Sequence, residues 1–460
     1  LVEMINIFFY DPWGDEKFLF RTAGILAGFD ISTLTWIMFG SLVVFLMAGL
    51  PLAFVTGGLG CVFIYMVGDQ AMLNILPSRI FPMMTNSDLS AIPLFIFMGI
   101  VLQKTNLAAQ LLESMGKLFG GVRGGLAIST ILVGALLAAS TGVVGASVVA
   151  MGLISLPVML KYKYDRPLAC GTICASGTLG QIIPPSIILI ILGDVLGIPV
   201  GDLFKAAVAP GLVLIGVYVI YVLIRTWLKP ETAPALPMDE DVHNKREQIQ
   251  KALIAILPPL VLILVVLGSI FTGIATPTES SALGGVGAIV LAILYRQFRF
   301  SMLFDSALET VKITAMVFAI LLGATAFSMA FTYTGGDWIV EDFMMGLPGE
   351  KWGFLILSML IIMALGFFID FVEISFMVVP ILAPIAEALG ISMLWFAILI
   401  AMNLQTSFLT PPFGFSLFYL KGVAPPEIRT ADIYRGVLPF ILMQVAVVLS
   451  ILFFPGFYGL

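Results

Sequence analysis

Apolar stretches of membrane-spanning length recur along the chain and are separated by short polar segments. The clearest lie at 31–49, 52–67, 212–228, 252–270 and 437–454, and a helix needs roughly 17 to 25 apolar residues to cross a bilayer. Hydrophobic residues make up 60% of the chain and charged residues 11%, whereas soluble proteins average about half and about a quarter. The pattern predicts an all-α polytopic membrane protein in a lipid bilayer.

Two apolar stretches are interrupted by polar residues, glycines and a proline pair. The first, at 168–192, contains SGTLGQIIPPS, and the second, at 393–420, contains NLQTSFLTPP. The proline pairs begin at Pro184 and Pro411, nearly half the chain apart. Broken helices at corresponding positions of two halves indicate the binding site of a secondary transporter, because they free backbone groups at membrane depth.

Other pairs of similar residues are separated by nearly the same number of positions as Pro184 and Pro411. The matched positions are Pro51 and Pro277, Gly99 and Gly323, Pro157 and Pro384, and the segments 202–205 and 432–435. Self-similarity at a fixed period indicates an internal repeat. We therefore divide the chain into a leader (1–30) of unknown role, a first repeat (31–228), a cytoplasmic linker (229–250) and a second repeat (251–457).

Two further apolar stretches, 126–160 and 353–389, turn back on small or polar residues and are predicted as re-entrant hairpins. Each repeat then has five crossings, one re-entrant hairpin and one broken helix, and the odd number of crossings inverts the second repeat. This topology places 17 of the 22 Lys and Arg residues on the cytoplasmic side, as the positive-inside rule requires, and both termini in the periplasm. The alternative, six complete crossings in each repeat, would put the basic clusters on alternating sides.

Two amphipathic stretches, 103–120 and 335–351, carry charged residues among apolar ones. Helices of this kind lie along the membrane interface rather than across it. We expect both to act as arms that carry the hairpins.

The breaks and the hairpin centres supply neutral oxygen atoms that suit a small hard cation such as Na⁺. Backbone that leaves the helix at membrane depth must be buried in protein or line a polar cavity, so we expect the two breaks and two hairpin tips to converge. The carbonyl groups freed before Pro184 and Pro411 would act with nearby hydroxyl groups. These belong to Ser140, Thr141, Ser176, Thr178, Thr406, Ser407 and Thr410. In the alternative interpretation, the prolines merely kink helices and the hydroxyls bond back to their own helix.

The half-helices that begin after each proline pair point the positive ends of their dipoles at the same place, which favours an anionic group of the substrate. No Lys or Arg falls within the predicted site. Binding would therefore depend on hydrogen bonds and helix ends. The substrate candidates are Gln181, Pro185, Ser186, Gln405 and Pro412.

Asp370 and Glu373 are acidic residues inside a long apolar stretch, where an acid costs about 2.5 to 3.5 kcal/mol on insertion scales. Asp370, at the predicted hairpin tip, could ligate a cation or take part in proton coupling; alternatively, it reaches the outer aqueous surface. Glu279 follows Thr276-Pro277 at the start of an apolar stretch, and we expect it to cap a helix.

Other chemistry lacks support in the sequence. Cys61, Cys170 and Cys174 fall in apolar runs without the spacing of a metal site and are interpreted as inert buried thiols, and His243 lies in the polar linker. Motifs of metalloproteases, serine hydrolases and P-loop proteins are missing from the sequence, so we predict that the protein is not an enzyme. The net charge of −6 argues against a nucleic-acid partner.

Four segments together resemble the large membrane subunit of tripartite ATP-independent periplasmic (TRAP) transporters. They are SAIPLFIFMG at 90–99, GQIIPPS at 180–186, ATPTE at 275–279 and LTPPFG at 409–414. The resemblance runs from about residue 33 to the end of the chain and includes all four motifs in the family's order.

The resemblance implies Na⁺-coupled import of an organic anion, such as a C4-dicarboxylate, a sialic acid or a sugar acid, across the bacterial inner membrane by an elevator mechanism. It also implies two partners, a soluble periplasmic substrate-binding protein and a small four-helix membrane subunit. Since the part of the sequence before the first span is short, we expect the small subunit to be a separate chain or to have been cut away. The segment at 10–16 matches no pattern of the family.

The family's cation sites can be carried over to this sequence. One would combine the tip Ser140-Thr141-Gly142 with the break from Ser176 to Pro184, which includes Gly180. The other would combine Asp370 with the segment from Gln405 to Thr410. Two alternatives to the tripartite importer are an autonomous carrier of the dicarboxylate and citrate type and a passive channel on the same repeat.

Overall fold

The computed structural model describes residues 31–105, 107–235 and 245–460, and within these ranges the secondary structure is helical, without a β-strand. The all-α prediction is therefore confirmed. The leader at 1–30, the linker segment at 236–244 and His243 within it lie outside the described residues.

The first repeat contains ten helices within its described part. They are α1 (Ile31–Met47), α2 (Leu52–Leu73), α3 (Leu76–Met84), α4 (Ala91–Lys104), α5 (Leu107–Phe119), α6 (Gly125–Thr141), α7 (Val144–Lys161), α8 (Arg166–Thr178), α9 (Ile187–Leu196) and α10 (Val200–Leu228). Short 3-10 turns occupy Leu179–Gln181, between α8 and α9, and Pro230–Thr232, after α10.

The described part of the linker and the second repeat contributes eleven more. They are α11 (Lys245–Phe271), α12 (Pro277–Leu294), α13 (Phe300–Tyr333), α14 (Gly336–Met345), α15 (Lys351–Leu365), α16 (Phe371–Met377), α17 (Val379–Ala388), α18 (Met393–Leu409), α19 (Phe415–Val423), α20 (Thr430–Phe453) and α21 (Pro455–Tyr458).

Six helices in the described ranges are long and apolar enough to cross a membrane: α7, α10, α11, α12, α13 and α20. Counting each of two bent pairs, α4 with α5 and α16 with α17, as one span raises the number to eight. Several other apolar helices have only 10 to 17 residues, because breaks and turns interrupt them. Five crossings per repeat and the inversion of the second repeat stay predictions.

The described residues fall into two compact units. The first comprises 31–86, 315–356 and 375–390. In it, α1 packs against α2, and the Phe39 ring makes edge contacts with Phe327 and Phe331 of α13 at centroid distances of 5.9 and 5.4 Å. Cys61, in α2, is half-buried rather than buried, because it shares a helix face with Tyr65, which is 52% exposed.

The second unit comprises 87–314, 357–374 and 391–460 and therefore holds both interrupted helices and both hairpin tips. Within it α4 packs along α12, α8 packs along α20, and both α6 and α7 contact α8. Helices α8 and α20 approach backbone to backbone, since a Cβ atom on Gly171 would collide with the carbonyl of Gly436. Cys170 and Cys174 are buried on α8, as expected.

Candidate functional site

The first hairpin consists of α6 and α7, which contact each other and are joined by a short turn at Gly142 and Val143. Gly142 adopts φ 62°, and its N–H donates to the carbonyl oxygen of Ala138 at 2.9 Å, which ends α6. This left-handed conformation suits glycine because a Cβ atom is disfavoured there. A Cβ on Gly142 would lie 3.2 Å from Cγ1 of Ile187, so the tip touches the first residue of α9. The side chains of Ser140 and Thr141 lie outside what the structure describes.

The first break, residues 179–186, separates α8 from α9. The carbonyl oxygens of its residues 182 to 185 accept no hydrogen bond from any described residue. The oxygen of Gln181 accepts the Ser186 hydroxyl at 2.6 Å, and the Pro184-Pro185 peptide is cis. The break therefore presents four consecutive carbonyl groups that are free to meet a ligand.

The second break, residues 410–414, separates α18 from α19 in the same way, with a cis Pro411-Pro412 peptide. Here two side-chain hydroxyl groups donate hydrogen bonds to backbone carbonyl oxygens at or beside the break. The Ser416 hydroxyl donates to the oxygen of Phe408 at 2.9 Å, and the Tyr434 hydroxyl donates to the oxygen of Pro412 at 2.9 Å. Sequence reasoning missed both residues. The internal repeat could have pointed to Ser416, because Ser416 corresponds to Ser186 by the same offset that relates 202–205 to 432–435.

The tip of the second hairpin, residues 366–370, lies against the second break. A Cβ atom on Gly366 would collide with the Ser407 side chain. The rings of Phe368 and Phe413 lie 5.1 Å apart between centroids. The same pairing of a hairpin tip with a break therefore occurs in each repeat.

The two breaks are joined through α18, which contacts both α9 and the turn at Leu179–Gln181. The chain of contacts thus runs from the first tip to the first break, on to α18, and from α18 to the second tip. Both breaks and both tips therefore meet in one region of the second unit, as the need to satisfy interrupted backbone away from lipid requires.

Two glutamines in this region have buried amide groups without partners. Gln181 is 1% exposed and Gln405 is 0% exposed. Neither the amide nitrogen nor the amide oxygen of either residue hydrogen-bonds a described residue. By contrast, the amide nitrogen of Asn403 donates to the carbonyl oxygen of Met359 at 2.6 Å. An unpaired buried polar group costs free energy, so two of them near the breaks indicate a place where a ligand completes the hydrogen bonds.

The five candidate hydroxyl groups whose side chains the structure describes donate to their own helices, as the alternative interpretation expected. The bonds are Ser176 to Ile173 (3.0 Å), Thr178 to Ala175 (2.9 Å), Thr406 to Met402 (2.9 Å), Ser407 to Leu404 (2.7 Å) and Thr410 to Thr406 (2.7 Å). A hydroxyl that donates its proton still has two lone pairs. The hydrogen bond to the residue's own helix fixes each hydroxyl oxygen in place and leaves its lone pairs able to ligate a cation.

The family model described as "Tripartite ATP-independent periplasmic transporter, DctM component" matches residues 39–457. The chain belongs to this family. The C4-dicarboxylate TRAP transporter large permease protein DctM of Pseudomonas aeruginosa is 31% identical to it over 384 residues, covering 83% of this chain and 87% of the relative. The sialic acid TRAP transporter large permease protein SiaM of Vibrio cholerae is 27% identical over 418 residues, covering 90% and 94%. The family resemblance noted from the motifs is thereby confirmed.

Among solved structures, the YdaH transporter of Alcanivorax borkumensis superimposes on this TRAP permease with a TM-score of 0.58 at 13% sequence identity. The match covers 93% of this chain and 99% of that one. At this identity the likeness concerns the fold alone.

Asp370, Glu373 and Glu279 of this TRAP permease stabilise the first turns of helices. At α16, the N–H of Phe371 donates to Oδ1 of Asp370 at 2.7 Å, and the N–H of Asp370 donates to Oε2 of Glu373 at 2.7 Å. Both carboxylates are half-buried. At α12, Glu279 forms a capping box with Thr276, which confirms the cap expected there. Asp370 therefore has a structural role, and its second carboxylate oxygen is the part that remains for a cation.

Clusters of three or more His, Cys, Asp and Glu side chains that would suit a metal ion do not occur in the described ranges of this permease. A cation at the breaks would therefore be held mainly by carbonyl and hydroxyl oxygens. Alkali cations accept such neutral ligands, whereas Zn²⁺ prefers thiolate and imidazole groups.

Proposed function

We propose that this TRAP permease imports an organic anion across the bacterial inner membrane in symport with Na⁺. It would act as the large subunit of a three-part system, receiving its substrate from a soluble periplasmic binding protein and working beside a small four-helix membrane subunit. The family assignment supports a transporter permease, and permeases of this kind are not enzymes.

The observation that carries the proposal is the pair of buried, unpartnered amides of Gln181 and Gln405. Amide N–H groups can donate to a carboxylate, and hydrogen bonds to charged groups are stronger than neutral ones. The positive ends of α9 and α19, which begin after the proline pairs, favour the same negative charge. Basic residues are missing from both breaks in the sequence, so amides and helix ends would have to recognise the anion.

The names of two relatives support a substrate class. A C4-dicarboxylate and a sialic acid are named for the two relatives, and both compounds contain a carboxylate. We assign the same class, a small carboxylate, to this permease. Ser186 and the backbone at Pro185 and Pro412 are the remaining candidates for contacts with it.

Two Na⁺ sites would flank the substrate. The first uses the tip at 140–142 with the free carbonyl groups of the first break, including that of Pro184. The second uses Asp370 with the segment from Gln405 to Thr410. In both sites a hairpin tip meets a break, so occupancy by Na⁺ would fix the two parts together and prepare the glutamine amides for the anion.

Uptake into proteoliposomes tests the proposal. The vesicles contain this chain and its small subunit, and radiolabelled dicarboxylates, sialic acid and sugar acids are offered with and without a Na⁺ gradient and the binding protein. We expect saturable uptake of at least one acid that requires both. Uptake by this chain alone would instead indicate an autonomous carrier, and a current that does not saturate would indicate a channel.

A further inference from the structure

The first residues of the linker lie across the base of the first hairpin. The N–H of Asp165, after α7, donates to the carbonyl oxygen of Thr232 at 2.8 Å, and the N–H of Gly124, before α6, donates to that of Ala233 at 3.1 Å. Ala233 is 0% exposed. We call residues 229–233 the strap. The strap ties both ends of the hairpin to the end of α10.

The last turn of α10 approaches the same place. The Thr226 hydroxyl donates to the carbonyl oxygen of Arg123 at 3.5 Å. The guanidinium of Arg225 lies 3.9 Å from the carboxylate of Asp165. These contacts place Arg123 beside the end of α10 and fix the start of the strap.

Exposed cations surround the strap. Arg123, Lys161, Lys163 and Lys229 are exposed, and among the described residues none of them lies within ion-pair distance of a carboxylate. Two further cations nearby are paired, Arg166 with Glu427 and Arg225 with Asp165. Glu231 adds one negative charge to the strap. Among the described residues, this surface therefore has an excess of positive charge.

Exposed apolar side chains adjoin these cations. Trp227 is 80% exposed, Leu228 65% and Val122 49%. Trp227 and Leu228 directly precede Lys229, and Val122 directly precedes Arg123. Tryptophan prefers the boundary between hydrocarbon and head groups, and long cationic side chains reach from that boundary toward the phosphates.

We call the exposed cations around the strap, together with Trp227, Leu228 and Val122, the strap surface. We propose that the strap surface binds the head group of an anionic phospholipid such as phosphatidylglycerol. Arg123 and Lys229 contact the phosphate, and the acyl chains lie against Trp227, Leu228 and Val122. A soluble acidic partner would account for the cations alone, whereas a phospholipid accounts for both the cations and the exposed apolar side chains. Basic sites at the cytoplasmic ends of membrane helices bind such lipids.

Native mass spectrometry of the detergent-purified permease tests the proposal, with phosphatidylglycerol and phosphatidylcholine as probes. The variant R123Q/K229Q removes two cations from the strap surface. The control R296Q/R299Q removes two other exposed cations with the same change in net charge. Each basic residue near a lipid surface contributes roughly a fivefold change in affinity. We expect R123Q/K229Q to weaken phosphatidylglycerol binding by about 25-fold and the control to leave it unchanged.

Two further comparisons distinguish a bound lipid from a purely electrostatic attraction and from a soluble phosphate. The W227A variant keeps every charge and is expected to weaken phosphatidylglycerol binding, whereas a general attraction to positive charge would not respond to it. Soluble glycerol phosphate is expected not to displace the lipid. The proposal would be overturned by equal loss of binding in R123Q/K229Q and the control, or by equal binding of both lipids. Full binding by W227A, or displacement of the lipid by glycerol phosphate, would also overturn it.

Discussion

A Cβ atom on Gly180 would lie 2.5 Å from the carbonyl oxygen of Ala138, so the first break and the first hairpin touch through their backbones. Ala138 lies one helical turn before Gly142, at the end of the same helix. Any side chain at position 180 would therefore push the hairpin tip away from the free carbonyl groups of the break.

Replacing Gly180 by alanine should separate the tip from the break. We expect G180A to lower the free energy of unfolding by about 1 to 3 kcal/mol, the usual cost of overpacking, and to weaken the dependence of uptake on Na⁺. Thermal unfolding in detergent and uptake in proteoliposomes measure the two effects. The control is G216A, since a Cβ on Gly216 meets nothing within 4 Å. An unaltered Na⁺ dependence in G180A would contradict a cation site at this contact.

Removing the amide groups of Gln181 and Gln405 should impair transport without destabilising the fold. Because an unpaired buried amide costs free energy in the folded protein, Q181M and Q405M should leave the free energy of unfolding unchanged or raise it, by up to about 3 kcal/mol. Each should raise the KM for the carboxylate substrate by about 10- to 100-fold, the value of a hydrogen bond to a charged group.

Asn403 is the matched comparison for these glutamines, because its amide has a partner in Met359. N403L should lower the free energy of unfolding by about 1 kcal/mol and leave the KM near that of the unchanged protein. Were Q181M and Q405M both to transport normally, the amides would not form the anion site.

The carboxylate of Asp370 can be tested separately as a cap and as a ligand. D370N keeps an oxygen that accepts the N–H of Phe371 and removes the charge, so it should fold normally. If the carboxylate ligates Na⁺, D370N should raise the Na⁺ concentration for half-maximal uptake about tenfold, equivalent to roughly 1.4 kcal/mol. E279Q makes the same change in the capping box of α12 and should leave uptake unaltered. A normal Na⁺ response in D370N would leave Asp370 with only its structural role.

The back-bonded hydroxyl of Thr406 provides a test of the neutral ligands. T406V preserves the shape of the side chain and removes the oxygen, so we expect about a tenfold higher Na⁺ requirement with little change in thermal stability. T172V is the control, since the Thr172 hydroxyl is buried and donates to Leu168 at 2.7 Å on the preceding part of α8. The same loss in both variants would point to a general effect of removing a hydroxyl from a membrane helix.

The sequence contains the local signals for the breaks and the first tip. Proline pairs end helices because they lack an N–H and clash with the preceding turn, and Gly142 provides the conformation that a tight turn needs. The spacing of Asp370 and Glu373 is that of a helix cap, although the cost of burying an acid suggested a ligand first. Contacts such as Asn403 with Met359, or the strap with Asp165, join segments far apart in the chain. Hydrophobic periodicity holds no information about such pairs.

Gly171 and Gly436 allow the backbones of α8 and α20 to touch, since a Cβ atom on either glycine would collide with the other helix, and we expect the two helices to move together. A movement of the first break would therefore carry α20 with it. A spin label at Leu442, which is 70% exposed on α20, would report that movement from a position outside the binding region. If Na⁺ binds at the breaks as proposed, the distance from such a label to a second label should differ between the presence and absence of Na⁺, and neither label would disturb a proposed ligand.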